Sequence, residues 1–525
     1  MSKWLVFFLL VAALGVRLYR LTDPPLDFHQ TRQYIGAIVA RAYYFEHKAS
    51  IPEWRREIAR TTKNDQGLLE PQILPALAVA GYWLAGGEQL WIPRLISVLG
   101  WLLGGVFLRR IAAETVSPRA ALIALAFYLF MPFAIMASRS FQPDPMMVMM
   151  MLVSLHLLLR YDSEPTTSRF GAVALAVMVA MLVRPLCVFE LFAAFGALMI
   201  ARRGLLRGVL CWHSVGFAVI ALTPTVAFYV YGILTGGFIR DQSSISFVSK
   251  LFGQAAYWQG WLGMIGRVVG ILPAFAALVS ALFFARGRLR ILLLALWAGY
   301  FAYGLAFNYH IHTHDYYSLP LIPIVALSLA PGAEWVMVWF AAAWAERRTV
   351  VIGLAIVTLA TGAGAAWEVK RMAARKDSAT LKSYLQSAGQ LVGLHKKFAA
   401  FLRPDRAAIK TEVADYQQIG EVIGHSARAI YLAEDYGKAL IYHGEFSGVG
   451  WPTSNLIRDM HRTDRRPLES VADFEELARK RQAEFFVVTA VKDFDSQAEL
   501  KEHVTGIYPV LARTDRFIVF RLKGL

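Results

Sequence analysis

Charged side chains are scarce in this chain. Asp, Glu, Lys and Arg make up 18% of its 525 residues, while hydrophobic residues make up 57%. A soluble globular protein carries roughly a quarter of its residues as charged ones, so the composition excludes that class. Internal repeats and low-complexity tracts are also missing, which excludes repeat architectures and disordered chains. The sequence predicts an integral membrane protein.

Acidic residues and cysteines are few as well. The chain has 38 Asp and Glu against 54 Lys and Arg, a formal net charge of +16. No basic stripe with interleaved aromatic residues accompanies this excess, so it indicates anchoring against anionic lipid rather than a nucleic-acid surface. The two cysteines, Cys187 and Cys211, fall near opposite ends of neighbouring predicted spans, which argues against a disulfide between them.

Long apolar runs are what the chain has instead. A helix needs about 20 residues to cross the hydrocarbon, and about 11 such segments can be placed. The predicted spans cover residues 4–21, 91–111, 119–137, 144–160, 169–184, 186–202, 208–232, 259–285, 290–308, 317–345 and 349–368.

The loops between these spans differ in charge. A basic start favours a cytoplasmic N-terminus, and counting from there puts every arginine-rich turn on the cytoplasmic side. These turns contain Arg109, Arg110, Arg119, Arg160, Arg169, Arg202, Arg203, Arg207, Arg286, Arg288, Arg290, Arg347 and Arg348. The sequence therefore predicts a multi-pass protein of the plasma (inner) membrane whose acidic and histidine-rich loops are extracytoplasmic.

Three apolar segments need separate interpretation. The first is predicted to be an uncleaved signal anchor, because Arg17 and Arg20 stand where a small-residue cleavage site would be expected. The segment from Pro71 to Leu84 is short, and counting it as a span would reverse the predicted side of every later loop. We therefore predict a juxtamembrane or re-entrant helix on the outer face. The run after Tyr316 contains Pro331, and it is either one kinked helix or a span followed by an interfacial helix.

Charged residues become frequent after Glu368, where amphipathic patterns alternate with β-branched runs. We predict a transmembrane domain over residues 1–370 and a soluble extracytoplasmic α/β domain over residues 371–525. The predicted strands are Ala429–Ala433, Leu440–His443, Phe485–Thr489 and Phe517–Leu522. The predicted helices surround Lys382–Lys397, Glu412–Ile423, Val471–Gln482 and Gln497–Val504. The segment Gly448–Pro452 predicts a turn.

The first outer loop carries an acid and an arginine directly after the first span. Prolines precede Asp27 and helix-forming residues follow it, a pattern typical of a helix start. Asp27 is therefore either a helix cap or a functional carboxylate, and Arg32 either a surface anchor or a ligand-binding cation. The residues alone leave both alternatives open.

A second cluster, from Ser138 to Pro145, falls at the outer mouth between the third and fourth predicted spans. Asp144 stands at a helix N-terminus, where capping is the alternative to a functional role. A carboxylate at the point where a helix enters the hydrocarbon costs free energy, so it is expected to have a function or an ion-pair partner. Arg139 is a candidate partner. Arg184 and Glu190 lie near another outer span end, where a snorkelling arginine is the default expectation.

Three histidines alternate in the outer loop from Asn308 to Tyr317. If this stretch is extended, His310, His312 and His314 share one face and could bind a divalent metal. The imidazoles could equally donate hydrogen bonds to a phosphate. No second ligand-rich segment is obvious in the sequence, so no cofactor is firmly predicted and a divalent metal stays an alternative.

Taken in order, these motifs resemble those of the polyprenol-phosphate-dependent GT-C glycosyltransferases, the membrane class that includes the protein O-mannosyltransferases and the lipid A aminoarabinose transferase. The matching elements are Asp27 with Arg32, a proline-rich apolar motif at Glu70–Pro75, a serine-arginine-aspartate element and a histidine-tyrosine-tyrosine-proline element. The last two contain Ser138, Arg139, Asp144, His314, Tyr316, Tyr317, Pro320 and Pro323. The resemblance covers the whole chain and implies a polytopic α-helical fold with juxtamembrane helices and a terminal α/β domain.

The sequence departs from that family pattern at two places. Phe28 and His29 stand where a second acid usually accompanies the first-loop aspartate, and Glu70 replaces the lysine that often grips the lipid phosphate. Other cations are then needed for the donor phosphate. The candidates are Arg32, Arg139, His314, Lys63, Lys250 and Arg240. Glu70, His29, Tyr316 and Tyr317 are the candidate substrate-binding residues.

The resemblance implies transfer of a hexosyl or pentosyl group from a polyprenyl-phosphate donor, such as an undecaprenyl phosphate sugar, to a lipid, glycan or protein acceptor, with inversion. Asp27 is the candidate general base and Asp144 the second candidate catalytic residue. A lipid or glycan transporter or flippase is the competing class, and a non-catalytic lipid-glycan assembly protein is a third. Acids and histidines concentrate at loop mouths rather than mid-span, which favours an enzyme.

Overall fold

The computed structural model describes residues 2–236, 239, 247–346, 387–394, 398, 401–462 and 465–522. The chain divides into two compact units. The first unit contains Met1–Arg20, Ser97–Arg139 and Pro143–Leu402, and the second contains Leu21–Ile96, Ser140–Gln142 and Arg403–Leu525. The predicted boundary near residue 370, the predicted span over 349–368, and Arg240 lie outside the described residues. Half of the helix predicted around residues 382–397 lies outside them too.

The chain up to Glu346 is mainly α-helical. Its helices are α1 Ser2–Leu18, α2 Gln30–Glu46, α3 Glu53–Asn64, α4 Ile73–Ala85, α5 Trp91–Thr115, α6 Ala120–Phe130, α7 Pro132–Ala137, α8 Pro143–Ser163, α9 Thr167–Val183, α10 Val188–Arg203, α11 Leu205–Leu210, α12 Trp212–Tyr231, α13 Ala255–Val268, α14 Ile271–Phe283, α15 Gly287–Ala306, α16 Asn308–Thr313 and α17 Leu321–Glu346. Short 3-10 turns cover Pro185–Cys187, Ser249–Gly253 and Asp315–Ser318.

Six helical segments in the described part of the chain are long and apolar enough to cross a membrane. They are Trp91–Thr115, Pro143–Ser163, Pro185–Arg203, Trp212–Thr235, Gly287–Ala306 and Asp315–Trp344. Shorter apolar helices cover Ile73–Ala85, Ala120–Phe130 and Thr167–Val183. A polytopic helical membrane protein is thereby confirmed, while the full number of spans stays a prediction.

Two predicted spans are interrupted. The segment predicted as one helix over 259–285 consists of α13 and α14, which are bent by 90° at the break. Gly270 lies at this break with φ +82°, a conformation that glycine adopts without a Cβ penalty. The segment over 119–137 is likewise divided between α6 and α7, because Pro132 lacks the N–H that would continue the helix. By contrast, α17 continues through Pro331 as a single helix.

Helices of the first unit pack closely. At Gly299 in α15 an added Cβ would lie 2.6 Å from Cα of Glu190 in α10, so the absence of a side chain lets the two backbones approach. Trp101 of α5 and Tyr128 of α6 stack with ring centroids 4.4 Å apart. Helix α4, which belongs to the second unit, has 13 residues, about 20 Å of helix, which is too short to cross the hydrocarbon.

The second unit combines α2–α4 with a mixed five-stranded sheet. The strands are β1 Ala429–Leu432, β2 Gly448–Gly450, β3 Phe485–Val488, β4 Val510–Arg513 and β5 Ile518–Arg521, in the order β2-β1-β3-β5-β4. Strand β1 is parallel to β2 and β3, and β5 is antiparallel to β3 and β4. The surrounding helices are α18 Arg406–Val422, α19 Lys438–Gly444, α20 Ser454–Arg462, α21 Val471–Lys480, α22 Val491–Ser496 and α23 Ala498–Ile507.

The predicted α/β character of this region is confirmed, with corrections in detail. Residues Leu440–His443 belong to helix α19 rather than a strand, so that prediction is wrong. The segment expected to be only a turn supplies the edge strand β2, and β4 was not predicted. The core beneath the sheet is aromatic, with Phe474, Phe486 and Phe520 fully buried.

Candidate active site

Arg94 organises the loop that follows α1, which the sequence predicts to be the first outer loop. It lies in the first turn of α5 and only 1% of its side chain is exposed. Its Nη1 donates hydrogen bonds to the carbonyl oxygens of Leu21 and Asp23, both at 2.7 Å. Its Nη2 lies 3.6 Å from Oδ2 of Asp27, whose side chain is 24% exposed. One guanidinium therefore fixes the loop backbone and faces the carboxylate that the loop presents.

The helix after this loop begins beyond Asp27. Helix α2 starts at Gln30, and its N-cap is His29, which has φ 42° and no side-chain capping bond. The backbone N–H of Arg32 donates to the carbonyl of His29 at 3.0 Å. Left-handed backbone is uncommon for a residue other than glycine. The alternative interpretation of Asp27 as the helix cap is therefore wrong, because His29 occupies that position.

Arg32 and Glu70 form an ion pair, with Nη2 and Oε1 2.6 Å apart and both side chains largely buried. A cation from α2 thus lies against the residue that stands in place of the expected lysine. Lys63, in α3, has its ammonium 5.0 Å from the ring centroid of Tyr43. The second unit therefore contains five of the predicted site residues, which are Asp27, His29, Arg32, Lys63 and Glu70.

The other face of α2 is attached to the C-terminal region of the same unit. The hydroxyl of Tyr34 is hydrogen-bonded to Nε2 of His443 at 2.7 Å. Burial, and next the charge of Arg41, lower the pKa of His443 to about 3, so the imidazole is neutral at physiological pH. The Nε of Arg41 donates to both carboxylate oxygens of Glu88 at 2.9 and 3.0 Å, and its guanidinium lies 3.5 Å from the ring centroid of Tyr442.

The serine-arginine element lies in the first unit. Nη2 of Arg139 donates to the carbonyl of Arg20 at 2.8 Å, and the guanidinium lies 4.8 Å from the ring centroid of Phe401. Ser138 accepts a 2.6 Å hydrogen bond from Nε of Arg17. Arginines at the end of α1 and after α7 are thus buried and hydrogen-bonded rather than exposed.

Asp144 forms a buried ion pair with Arg184. The Arg184 side chain is 5% exposed and that of Asp144 is 2% exposed. The Arg184 guanidinium also lies 5.5 Å and 5.1 Å from the ring centroids of Tyr316 and Tyr317. The expectation that Arg184 snorkels is wrong, because this arginine is needed inside to balance a carboxylate at the start of α8. Asp144, Tyr316 and Tyr317 are therefore brought together around an arginine.

The histidine segment is helical, not extended. Since α16 covers Asn308–Thr313, residues two apart point in nearly opposite directions, and the premise of the three-histidine metal site is wrong. His310 stacks on Tyr317 at 4.9 Å, whereas Nδ1 of His312 donates to the Asn308 carbonyl at 2.6 Å. Nδ1 of His314 is hydrogen-bonded to the hydroxyl of Thr313 at 2.7 Å. Within the described ranges, no group of three His, Cys, Asp or Glu side chains is arranged to hold a metal ion.

Two buried arginines that face the candidate acids, Arg94 and Arg184, were not predicted as functional residues. Arg94 has a detectable signal, because an arginine near the start of a long apolar helix needs a polar partner. Arg184 precedes Pro185 at a span end, the same kind of signal, but the sequence does not identify its partner. Lys250, predicted as a phosphate ligand, lies in an exposed 3-10 turn of the first unit.

Comparisons with known proteins bear on this arrangement. The family profile described as dolichyl-phosphate-mannose-protein mannosyltransferase matches residues 70–229. A search of curated protein sequences finds no match.

Solved structures share the fold over nearly the whole chain. ArnT from Cupriavidus metallidurans in the apo state is 17% identical with a TM-score of 0.55, and the alignment covers 99% of this chain and 98% of ArnT. The same protein bound to undecaprenyl phosphate is 16% identical with a TM-score of 0.53 and the same coverage. An oligosaccharyltransferase from Archaeoglobus fulgidus, in complex with Zn and sulfate, is 12% identical with a TM-score of 0.50, covering 96% of this chain and 71% of that one.

The fold is that of the GT-C membrane glycosyltransferases. A mannosyltransferase family profile also matches residues 70–229, so the resemblance inferred from the motifs is confirmed for the fold and for this part of the sequence.

Proposed function

We propose that this protein transfers a sugar from a polyprenyl-phosphate-linked donor to an acceptor hydroxyl at the extracytoplasmic face of the plasma membrane, with inversion at the anomeric carbon. The observation that carries the proposal is the first outer loop, in which a buried arginine fixes the backbone and holds an accessible carboxylate, Asp27, in place. Support for the donor class comes from the ArnT structure that holds undecaprenyl phosphate.

Asp27 is the general base in this proposal. Its carboxylate takes the proton from the acceptor hydroxyl while that oxygen forms a bond to the anomeric carbon. The bond from the anomeric carbon to the phosphate oxygen breaks at the same time, and the polyprenyl phosphate leaves. Attack opposite the leaving group inverts the anomeric centre. A base must be reachable by the acceptor, and the 24% exposure of Asp27 meets that requirement better than the 2% exposure of Asp144.

Asp144 is assigned a positioning role. Its carboxylate balances Arg184, and Arg184 lies over the rings of Tyr316 and Tyr317. Through this arginine, Asp144 would fix the tyrosines that are the candidate substrate-binding residues. A buried ion pair of this kind is rigid, which suits the orientation of a bound substrate.

Arg32 is the preferred ligand of the donor phosphate among the cations of the second unit. The leaving group carries negative charge, so a guanidinium stabilises it more effectively than a proton donor does. Glu70 currently accepts from Arg32 and would compete with the phosphate for it. Lys63, Arg139, Lys250 and His314 stay candidates for the same task, and a divalent metal is not part of the proposal.

The experiment compares the wild type with Asp27→Asn in nanodiscs that contain a panel of polyprenyl-phosphate sugars and a candidate acceptor extract. Released polyprenyl phosphate is measured by mass spectrometry. Loss of a general base lowers turnover by roughly 10²–10⁴-fold, so near-complete loss of release is expected. Asp23→Asn is the matched control, since Asp23 lies in the same loop with its carboxylate 3.2 Å from Arg406.

Three results would count against the proposal. Asp27→Asn could release polyprenyl phosphate as fast as wild type, which would remove Asp27 from the chemistry. Asp23→Asn could lose as much activity as Asp27→Asn, which would make loop structure the cause. Wild type could move a labelled donor across the bilayer without releasing polyprenyl phosphate, which would indicate a transporter.

A further inference from the structure

A second polar cavity lies in the C-terminal region of the second unit. It has a volume of about 300 Å³ and is bounded by the end of α3, the residues before β1, the edge strand β2 and the start of α19. Its lining includes Asp65, Tyr431, Lys438, Gly448 and Gly450. Among the described residues that line it, none belongs to the candidate active site.

Two hydrogen-bond donors in this cavity have no protein acceptor among the described residues. Lys438 is half-buried, and its ammonium is attracted by the charge of Asp65 without forming a hydrogen bond or a close ion pair there. Tyr431 is 4% exposed, and its hydroxyl likewise makes no hydrogen bond. Both donors open onto the cavity, so each can donate a hydrogen bond to an acceptor that enters it.

The cavity has an excess of positive charge. Arg428 and Arg481 belong to its lining in addition to Lys438, whereas Asp65 is its acidic residue. Arg428 is paired with Glu484, and Asp65 accepts a 3.2 Å hydrogen bond from the hydroxyl of Ser447. Lys438 and Arg481 therefore outweigh Asp65, and an anion is favoured over a cation.

Glycines keep the cavity open. Strand β2 brings Gly448 and Gly450 to the wall, so no side chain enters from this strand at these two positions. At Gly450 an added Cβ would lie 3.3 Å from the ring of Tyr431, within tight contact of the group that carries the hydroxyl. A side chain at position 450 would therefore crowd Tyr431 and fill space beside it.

We propose that this cavity binds the oxyanion group, a phosphate or a carboxylate, of a polar water-soluble molecule, with the ammonium of Lys438 and the hydroxyl of Tyr431 as its donors. An ammonium offers three donors and a tyrosine hydroxyl one, which suits an acceptor with several oxygens. The site stands on its own geometry and does not depend on the proposed sugar transfer. Burial also lowers the pKa of Lys438 to about 8, and a bound anion would raise it again.

The first test is calorimetric titration of the full chain in phosphatidylcholine nanodiscs, where no anionic lipid competes. The titrants are inorganic phosphate, pyrophosphate, acetate and glucuronate, so the arms distinguish phosphate from carboxylate. A saturable site that depends on Lys438 is expected, separate from any phosphate binding at Arg32. Lys438→Met should weaken it about tenfold or more, because it removes a charge-assisted contact, and Tyr431→Phe should weaken it several-fold. Lys492→Met, an exposed lysine in α22, is the matched control and should leave the affinity unchanged.

The second test uses wild type alone, so it does not depend on whether a variant folds. Acetic anhydride labels neutral lysine amines, and peptide mass spectrometry compares Lys438 with Lys492 with and without the titrant. Protection of Lys438 alone is expected. The proposal is overturned if no titrant binds below about 10 mM, if Lys438→Met with a melting temperature no lower than that of wild type binds as wild type does, or if saturating titrant leaves Lys438 labelling unchanged.

Discussion

Replacing Asp144 by Asn should destabilise the first unit strongly. The change removes a carboxylate from a guanidinium that is 5% exposed, at the start of a membrane helix. Taking one partner from a buried ion pair costs about 3–5 kcal/mol, because the remaining charge keeps its desolvation cost and loses its compensation. Arg184→Met should cost a similar amount for the converse reason, since the carboxylate then stays buried.

The double replacement Asp144→Leu with Arg184→Met should recover most of that loss. Both charges disappear and apolar side chains fill the space, an exchange that is often neutral or stabilising. The stability of the double variant should thus come within about 1 kcal/mol of wild type. Unfolding is followed by tryptophan fluorescence in detergent during a denaturant titration, with each variant's slope checked against wild type.

Turnover measured on the same four proteins separates positioning from chemistry. If Asp144 acts only by fixing Arg184, the stable double variant should bind substrate more weakly yet keep measurable polyprenyl phosphate release. If the double variant is as stable as wild type but fully inactive even at saturating donor, Asp144 or Arg184 takes part in the chemical step. Single variants that lose less than about 1 kcal/mol would refute the reasoning, because the pair would then behave as a solvent-exposed one.

Three further predictions concern the second unit. Glu70→Gln should strengthen binding of polyprenyl phosphate by about three- to tenfold, because it removes the carboxylate that competes for Arg32, and Arg32→Gln should weaken the binding. A competition assay with a labelled donor measures both affinities. The prediction would be contradicted if the two changes shifted the affinity in the same direction. His443 has a folded-state pKa of about 3, below its unfolded value near 6.5, so the free energy of unfolding should fall as the pH drops below about 6.5. The slope should be at most about 1.4 kcal/mol per pH unit. His443→Gln should flatten that slope in acid unfolding curves. Lys438→Met should stabilise the protein at pH 7 by roughly 1–3 kcal/mol, since burial disfavours the ammonium. The folded-state pKa of Lys438, about 8, lies below the unfolded value near 10.4. Wild type should therefore gain stability between about pH 8 and 10, and the variant should not. Equal denaturant midpoints for Lys438→Met and wild type at pH 7 would contradict the last expectation.

The membrane helices could be predicted because their apolar runs are long. The strands of the sheet were harder to predict because their apolar runs are short. Strands β1, β3 and β5 are buried and apolar along most of their length, and the sequence identifies all three. The four residues Leu440–His443 have the same appearance, but a short apolar run cannot distinguish a strand from a buried helical turn. Strand β2 was missed for the opposite reason, because glycine is rare in strands and its pairing with β1 comes from backbone hydrogen bonds.

The first-loop acid could be predicted because its neighbours in sequence already look unusual. The arginines that hold the two acids could not be assigned, because their partners are distant in sequence. Arg94 bonds to the carbonyl of a residue 71 positions away, and Arg184 pairs with one 40 positions away. The histidine segment was misjudged because alternation suggests a strand, whereas Phe307 and the end of α15 lead into another helical turn.

The loop that contains Asp27 and the C-terminal region are parts of one folded unit. Helix α2, which follows the loop, is tied to α19 by the hydrogen bond between Tyr34 and His443, 409 positions apart. Because the Tyr34 side chain is fully buried, we expect this hydrogen bond to constrain the helix that follows the candidate base. In the proposed mechanism, residues that contact no substrate therefore help to fix where the Asp27 carboxylate points.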